Sequence, residues 1–228
     1  MDPNHPFGRV DEAHPDIPNL QHAYRKIIRE LIYLSTCSHP DITLAVQRLS
    51  QQCAQPEPRH FLAARQVIRY LKGTLSLCIH FGNPNVDLSP HAFSDSDWAT
   101  SPEDCVSITG YVWYFHGGTI SHASKKQTTH ALSSAEAEYM ALASCIQEGI
   151  SVIALLRSLD QPIVLPLRVN ADNTTAISLS TTANNHSCSK HIDVRYHFIH
   201  EHIAAGSFKP SWVPTRHNVA DILTKPLV

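Results

Sequence analysis

The chain has 228 residues, 43% of them hydrophobic, which is enough for an ordinary core and too much for a disordered tail. Eighteen Lys and Arg against twenty Asp and Glu give a formal net charge of −2, which excludes a protein that grips nucleic acid by overall charge. Six Cys at 37, 53, 78, 105, 145 and 188 form no CxxC pair and lack the spacing of a small disulfide framework. No run of eighteen apolar residues occurs, so the expectation is an intracellular chain, cytoplasmic or nuclear, with reduced thiols and no membrane span.

In chain order, residues 1–22 are polar and rich in Pro and His, without the apolar stretch of a signal peptide, and read as a flexible arm. From Ala23 the pattern is helical: Ile27, Ile28, Leu31, Ile32 and Leu34 recur at spacings of three and four until Ser38-His39-Pro40-Asp41. A second helix carries Ile42, Leu44, Ala45, Val46 and Leu49. A third, Arg59 to Lys72, carries Phe61, Ala64, Val67, Ile68 and Leu71 and stops at Gly73. These helices make a small subdomain without an acidic cluster, expected over 23–82, and a second domain is expected over 83–228.

Past Leu75 the period shortens. Ser76–Phe81 reads as a strand, Asn83-Pro84-Asn85 as a turn, and His91–Trp98 as a further strand. Ile108–Phe115, Gly117-Gly118 and Thr119–Ala123 read as a hairpin. Then come a long helix from Ser133 to about Leu159, a strand Leu165–Ala171, helices Thr174–Ser180 and Ile192–Ala204, a strand Phe208–Val213, and a last helix from Val219. Hairpin-linked strands, a crossover helix and then alternating elements predict an α/β mixed sheet with helices on its faces.

Several acids occupy positions that the pattern assigns to the interior. In the long helix Glu138 falls on the apolar stripe of Ala135, Leu142, Cys145, Ile146 and Gly149. Glu136 lies about 200° away around the helix and completes a capping box with Ser133. Asp95 sits late in its strand on the side of Phe93 and Asp97, and Asp97 is better read as starting a turn. Asp172 ends a strand and Asp221 opens the last helix; each is equally readable as a helix-terminal residue, with Asn218 as a cap beside Asp221. In a sheet of this order the four points can converge. Carboxylates packed together repel unless divalent cations neutralise them. An oxygen-only set suits Mg²⁺ or Mn²⁺, and in-line displacement at phosphorus is the chemistry such a site favours.

The phrases HFLAARQVIRYLKGT, AFSDSDWA, SITGYVWYF, ISHASKKQTTHALSSAEAEYMAL, VNADNTTAISL, SKHIDVRYHFIHEHI and HNVADILTKPL, in this order, closely resemble the end of the polyprotein of Ty1/copia-type retrotransposons. The resemblance implies that 23–82 is a remnant of the reverse transcriptase thumb or connection and that 83–228 is an RNase H-like domain with a mixed five-stranded sheet. It implies cleavage of the RNA strand of RNA–DNA hybrids with two Mg²⁺, Mn²⁺ being a possible substitute. Asp95, Glu138, Asp172 and Asp221 would hold the metals, and the rest of a reverse transcriptase would be a partner. Products would carry 5′-phosphate and 3′-hydroxyl ends, and contacts to the RNA 2′-hydroxyls would discriminate against duplex DNA. No adjacent Asp-Asp pair occurs, so polymerase activity is not expected. The phrase before Gly110 is Cys105-Val-Ser-Ile-Thr, where the family usually has arginine and serine. The end at Val228 would leave the last helix short.

Lys125, Lys126, Asn173, Lys190, Arg195 and His197 are the candidate substrate contacts, with Gln127 and His191 beside them, and His217 is an auxiliary candidate near Asp221 for proton transfer or product release. His186, Cys188, His191, His197, His200 and His202 are dense enough to raise zinc, but without HExxH or CxxC spacing zinc is the weaker reading. An integrase or transposase would place its glutamate on a late helix, not on the first long one. The alternative from another class is a catalytically silent remnant, or a structural or nucleic-acid-binding module, against which the four intact acids argue.

Overall fold

The computed structural model describes residues 17–82, 87–98, 105–182 and 190–226, with backbone alone at 17–19 and 190–196. The chain divides into two compact units that meet in sequence at Ile79 and His80.

The first unit is helical, with α1 (Ile17–Cys37), a 3-10 turn (Pro40–Ile42), α2 (Thr43–Ser50) and α3 (Pro58–Gly73). α1 begins at Ile17, before the expected Ala23. Its stripe of Tyr24, Ile28 and Leu31 buries against Ile42, Val46 and Leu49 and against Ala63, Ala64 and Val67 of α3. The Tyr24 hydroxyl donates to the Leu49 carbonyl at 2.9 Å, and burial pushes its pKa up. Pro58 takes the first position of α3, where no N–H is needed, and His60 Nδ1 accepts from the Glu57 amide at 3.0 Å.

The strand expected at Ser76–Phe81 does not form: these residues are turn and irregular chain. Leu75, Leu77 and Phe81 are exposed, and the segment meets the hairpin only at its end, where the Gly82 amide donates to the His116 carbonyl at 2.7 Å, so the alternation gains no ladder. The turn expected at 83–85 lies outside the described residues.

The second unit is built on β1 (His91–Asp97), β2 (Ile108–Phe115), β3 (Gly118–Lys126), β4 (Leu167–Ala171) and β5 (Phe208–Trp212). The sheet order is β3-β2-β1-β4-β5, with β1–β2 and β2–β3 antiparallel and β1–β4 and β4–β5 parallel. This is the expected mixed five-stranded sheet, the RNase H-like arrangement. The β2–β3 turn is His116-Gly117, both with positive φ, one residue earlier than the expected Gly-Gly. β4 begins at Leu167 because Pro166 has no N–H for the ladder. Asp97 is the last residue of β1, paired with Ile108, and the turn comes after it at Trp98.

α4 (Ser134–Ser158) links β3 to β4, and α5 (Thr174–Thr181) and α6 (Lys190–Ala204) link β4 to β5. By length and hydropathy α4 alone among the described helices could cross a membrane, although no run of eighteen apolar residues announces it. Most of that apolar window is buried inside the fold, which is how a core helix passes the same test. Leu142, Cys145, Ile146, Val152, Ile153 and Leu156 pack on Trp113, Val169 and Phe208. Gly149 brings helix and sheet together: a Cβ there would lie 2.5 Å from Trp113 Cζ2 and 2.6 Å from Phe208 Cε1. Trp113 Nε1 donates to the Cys145 carbonyl at 3.1 Å. Two short 3-10 segments end the described chain, Thr215–His217 and Val219–Leu223, the second in place of the expected α-helix.

Candidate metal centre

Parallel pairing of β1 with β4 sets the carboxyl ends of two strands side by side. Asp95 lies near the end of β1 and is fully buried, and Asp172 follows β4 directly and is partly exposed. The crossover helix adds Glu138 at its N-terminal end, 8% exposed. One carboxylate oxygen from each of these three acids lies within 4.8 Å of the others. Among the described residues no other cluster of three or more potential ligands forms.

Local structure frees these acids from terminal duties. Ser133 Oγ accepts from the Glu136 amide at 3.2 Å, and the Glu136 carboxylate reaches back to the Leu132 amide at 2.8 Å. The N-terminus of α4 is therefore satisfied without Glu138. Asn173, not Asp172, caps α5, its Oδ1 accepting from the Ala176 amide at 3.0 Å. The Asp172 carbonyl accepts from Trp212 Nε1 at 3.2 Å and the Ala171 carbonyl from the Val213 amide at 3.0 Å, so the end of β5 holds the end of β4.

Asp221 sits at the third position of the last 3-10 segment, partly exposed and outside the three-carboxylate group. It is tied to the centre through Thr224. The Thr224 amide donates to the Asp221 carbonyl at 3.1 Å, and the Thr224 hydroxyl donates to Asp95 Oδ2. Asn218 caps the segment as expected, Oδ1 accepting from the Ala220 amide at 3.3 Å, and its Nδ2 donates to the Ser94 carbonyl at 3.0 Å.

Gln127 was grouped with Lys125 and Lys126 by sequence, yet its amide points inward. Nε2 lies 3.3 Å from Ser96 Oγ, 3.0 Å from Thr109 Oγ1 and 3.0 Å from the Ala137 carbonyl. It thus bridges β1, β2 and α4 one residue away from both Asp95 and Glu138. Sequence reasoning gave Gln127 an outward, substrate-facing role and missed Thr224, since a polar residue at an element's edge carries no periodic signal.

Of the basic candidates, Lys125 is exposed, with Nζ 5.8 Å from the Tyr111 ring centre, and Lys126 is half-buried. His197 is exposed on α6, and the side chains of Lys190 and Arg195 lie outside the described residues. His217 is exposed in the first 3-10 segment. For the zinc reading, His186 and Cys188 and the His191 side chain lie outside the described residues. His200 Nε2 is 3.0 Å from the Leu179 carbonyl, and His202 packs its ring on Phe198 and Phe208.

A set of three carboxylates matches a hard divalent cation in donor chemistry. Two oxygens on one Mg²⁺ lie at most about 4.2 Å apart, twice the Mg–O distance of about 2.1 Å. The 4.8 Å spread is thus within a small side-chain rotation of a shared ion.

No protein-family model matches the chain. It is 40% identical over 204 residues, 90% of its length, to the retrovirus-related Pol polyprotein from transposon RE1 of Arabidopsis thaliana. It is 38% identical over 205 residues, 89% of its length, to the corresponding polyprotein from transposon TNT 1-94 of Nicotiana tabacum. It spans only 14% and 15% of those two polyproteins. Among solved structures, LC11-RNase H1 in complex with an RNA/DNA hybrid aligns with 60% of this chain and 94% of its own, at 14% identity and a TM-score of 0.44.

Proposed function

We propose that this chain, which belongs to the Pol polyprotein family of Ty1/copia-type retrotransposons, is the ribonuclease H of such an element, cleaving the RNA strand of RNA–DNA hybrids with Mg²⁺. The observation that carries the reading is the meeting of Asp95, Glu138 and Asp172 from three separate elements. Burial of two of these acids in a protein interior is costly, and a binding task explains why they stand there.

In this reading Asp95, Glu138 and Asp172 hold the metal, and Asp221 joins them from the last 3-10 segment. Mg²⁺ held there, as two ions or with Mn²⁺ as a substitute, would supply a water of lowered pKa and neutralise charge on the scissile phosphate. The protein aims the carboxylates, through Thr224 on Asp95 and through the caps that leave Glu138 and Asp172 free of helix-terminal duties. Lys125, Lys126, Lys190, Arg195 and His197 neutralise phosphates along the hybrid, Asn173 touches it beside Asp172, and His217 relays a proton or eases product release. The helical unit is the thumb or connection end of the reverse transcriptase, whose remaining part is the partner that helps hold the hybrid.

The test uses the whole chain with Mg²⁺ and an end-labelled RNA–DNA hybrid. Cleavage of the RNA strand, absent with EDTA and absent in Asp95→Asn, is the expected result. Cleavage no greater than in Asp95→Asn leaves a silent remnant of the element as the answer.

A further inference from the structure

We propose that Thr224 is a positioning residue of the carboxylate centre, its hydroxyl setting the rotation of the Asp95 carboxylate, and that Gly110 lacks a side chain so that Thr224 can reach it. The consequence for metal binding rests on the ribonuclease H reading.

Thr224 and Asp95 are both fully buried, and the Thr224 hydroxyl donates to Asp95 Oδ2 across 129 residues of sequence. The same hydroxyl lies 3.2 Å from the Asp221 carbonyl. A hydroxyl has one proton to donate, and the charged carboxylate is the stronger acceptor of the two. The hydroxyl therefore serves Asp95.

What aims it is the threonine methyl. Gly110 is the cross-strand partner of Asp95. A Cβ at 110 would lie 2.6 Å from Thr224 Cγ2, 2.9 Å from Leu223 Cβ and 3.1 Å from the Ala220 carbonyl. The methyl thus fills the space that glycine leaves, and a β-branched side chain so wedged has one χ1 open to it. The segment is also fastened at its other end, by Asn218 Nδ2 on the Ser94 carbonyl. Thr224 therefore approaches Asp95 from a support anchored on β1 itself. Outer-shell partners of this kind orient the groups that bind a metal.

The experiment compares the full chain with Thr224→Val, which keeps the shape and removes the hydroxyl, Thr224→Ser, which keeps the hydroxyl, and Gly110→Ala. Mg²⁺ binding is read by titration calorimetry without substrate, and cleavage is read as kcat and KM separately. Circular dichroism confirms that each variant is folded. Thr224→Val is expected to lose about 10- to 100-fold in Mg²⁺ affinity and a similar factor in kcat, with KM for the hybrid little changed. Thr224→Ser, which keeps the donor but lacks the methyl that aims it, is expected to recover only part of that loss. Gly110→Ala is expected to fall as Thr224→Val does, although its hydroxyl is intact. Wild-type Mg²⁺ affinity in Thr224→Val overturns the proposal, and so does an equal loss in Thr224→Ser, which would make the residue a packing element. Wild-type behaviour of Gly110→Ala overturns the role given to the glycine. A wild-type chain that neither binds Mg²⁺ nor cleaves hybrid is a separate result: it defeats the ribonuclease reading and removes this proposal with it.

Discussion

Carboxylate oxygens within 4.8 Å of one another repel by about 3 kcal/mol per ionised pair at an effective dielectric constant near 20. Removing one charge relieves that repulsion, whereas removing a core side chain opens a cavity. Glu138→Gln is therefore expected to abolish cleavage while leaving the melting temperature in EDTA unchanged or raised; a large fall would make Glu138 a structural residue. Mg²⁺ should raise the melting temperature of the wild type by mass action, by about 2.7 kcal/mol of stability at a hundred times the dissociation constant. The rise should be much smaller in Glu138→Gln. Away from the centre, Asp87 is held below the usual carboxylate range by hydrogen bonds from Ser89 and by the nearby His91 and Arg168, the latter with Nη2 at 2.6 Å. A folded pKa below the unfolded one means that the stabilisation is present above the unfolded pKa and is lost as pH falls through the folded value. Both side chains are well exposed, so Asp87→Asn should cost only about 0.2–1 kcal/mol near pH 7 and progressively less as pH falls through the acid range, read as thermal melts across that range. Glu138 was legible in the sequence because it is a charge on an apolar stripe, and Asp95 because it sits late in a strand on the side of Phe93. Asp172 was equally readable as a helix-terminal residue and was picked out by the resemblance. Thr224 was not legible, because it acts on an acid 129 residues away in sequence, and the inward bridge made by Gln127 was not, because its partners on β1, β2 and α4 meet only in the fold.

Elements differ in how much of their environment their own residues encode. α4 was legible nearly to the residue, since its stripe repeats over about four turns and its cap is local to Ser133 and Glu136. Ser76–Phe81 was not, because an alternation of Leu77, Ile79 and Phe81 describes a strand only where a neighbour completes the ladder. The last segment is a 3-10 turn and not an α-helix, drawn into that shape between two attachments to β1, at Asn218 and at Thr224. Gly149 falls between these cases: it stands on the predicted stripe, but only the fold reveals that Trp113 and Phe208 occupy its missing side chain's place. Both rings are buried among other core residues and have no room to yield. Gly149→Ala should gain helix propensity yet lose about 1–3 kcal/mol overall from overpacking, seen as a lower denaturant midpoint with an unchanged slope. A stabilised variant would show that α4 can move off the sheet at no cost.

At the scale of the whole molecule, the two units keep separate cores. Tyr24, Ile28, Leu49, Ala64 and Val67 belong to the helical unit, and Trp113, Leu142, Ile146, Val169 and Phe208 to the sheet unit. A unit of about sixty residues buries only about 60% of its unfolded surface and is marginal by itself. The helical unit also leaves Tyr33, Leu62, Ile68, Tyr70 and Leu75 exposed, which shrinks its share of buried apolar area further. It is expected to unfold first. The three tryptophans, at 98, 113 and 212, all lie in the sheet unit, with Trp113 completely buried, so indole fluorescence reports that unit alone. Far-ultraviolet circular dichroism reports both, because α1 and α3 contribute 21 and 16 helical residues. Thermal melts followed by the two signals should therefore not coincide, dichroism falling first as the helical unit melts and fluorescence following with the sheet. Added Mg²⁺ should raise the fluorescence transition and leave the earlier one in place, since the acids that would bind it stand in the sheet unit. Coincident transitions that shift together with Mg²⁺ would show instead that the two units fold as one cooperative body.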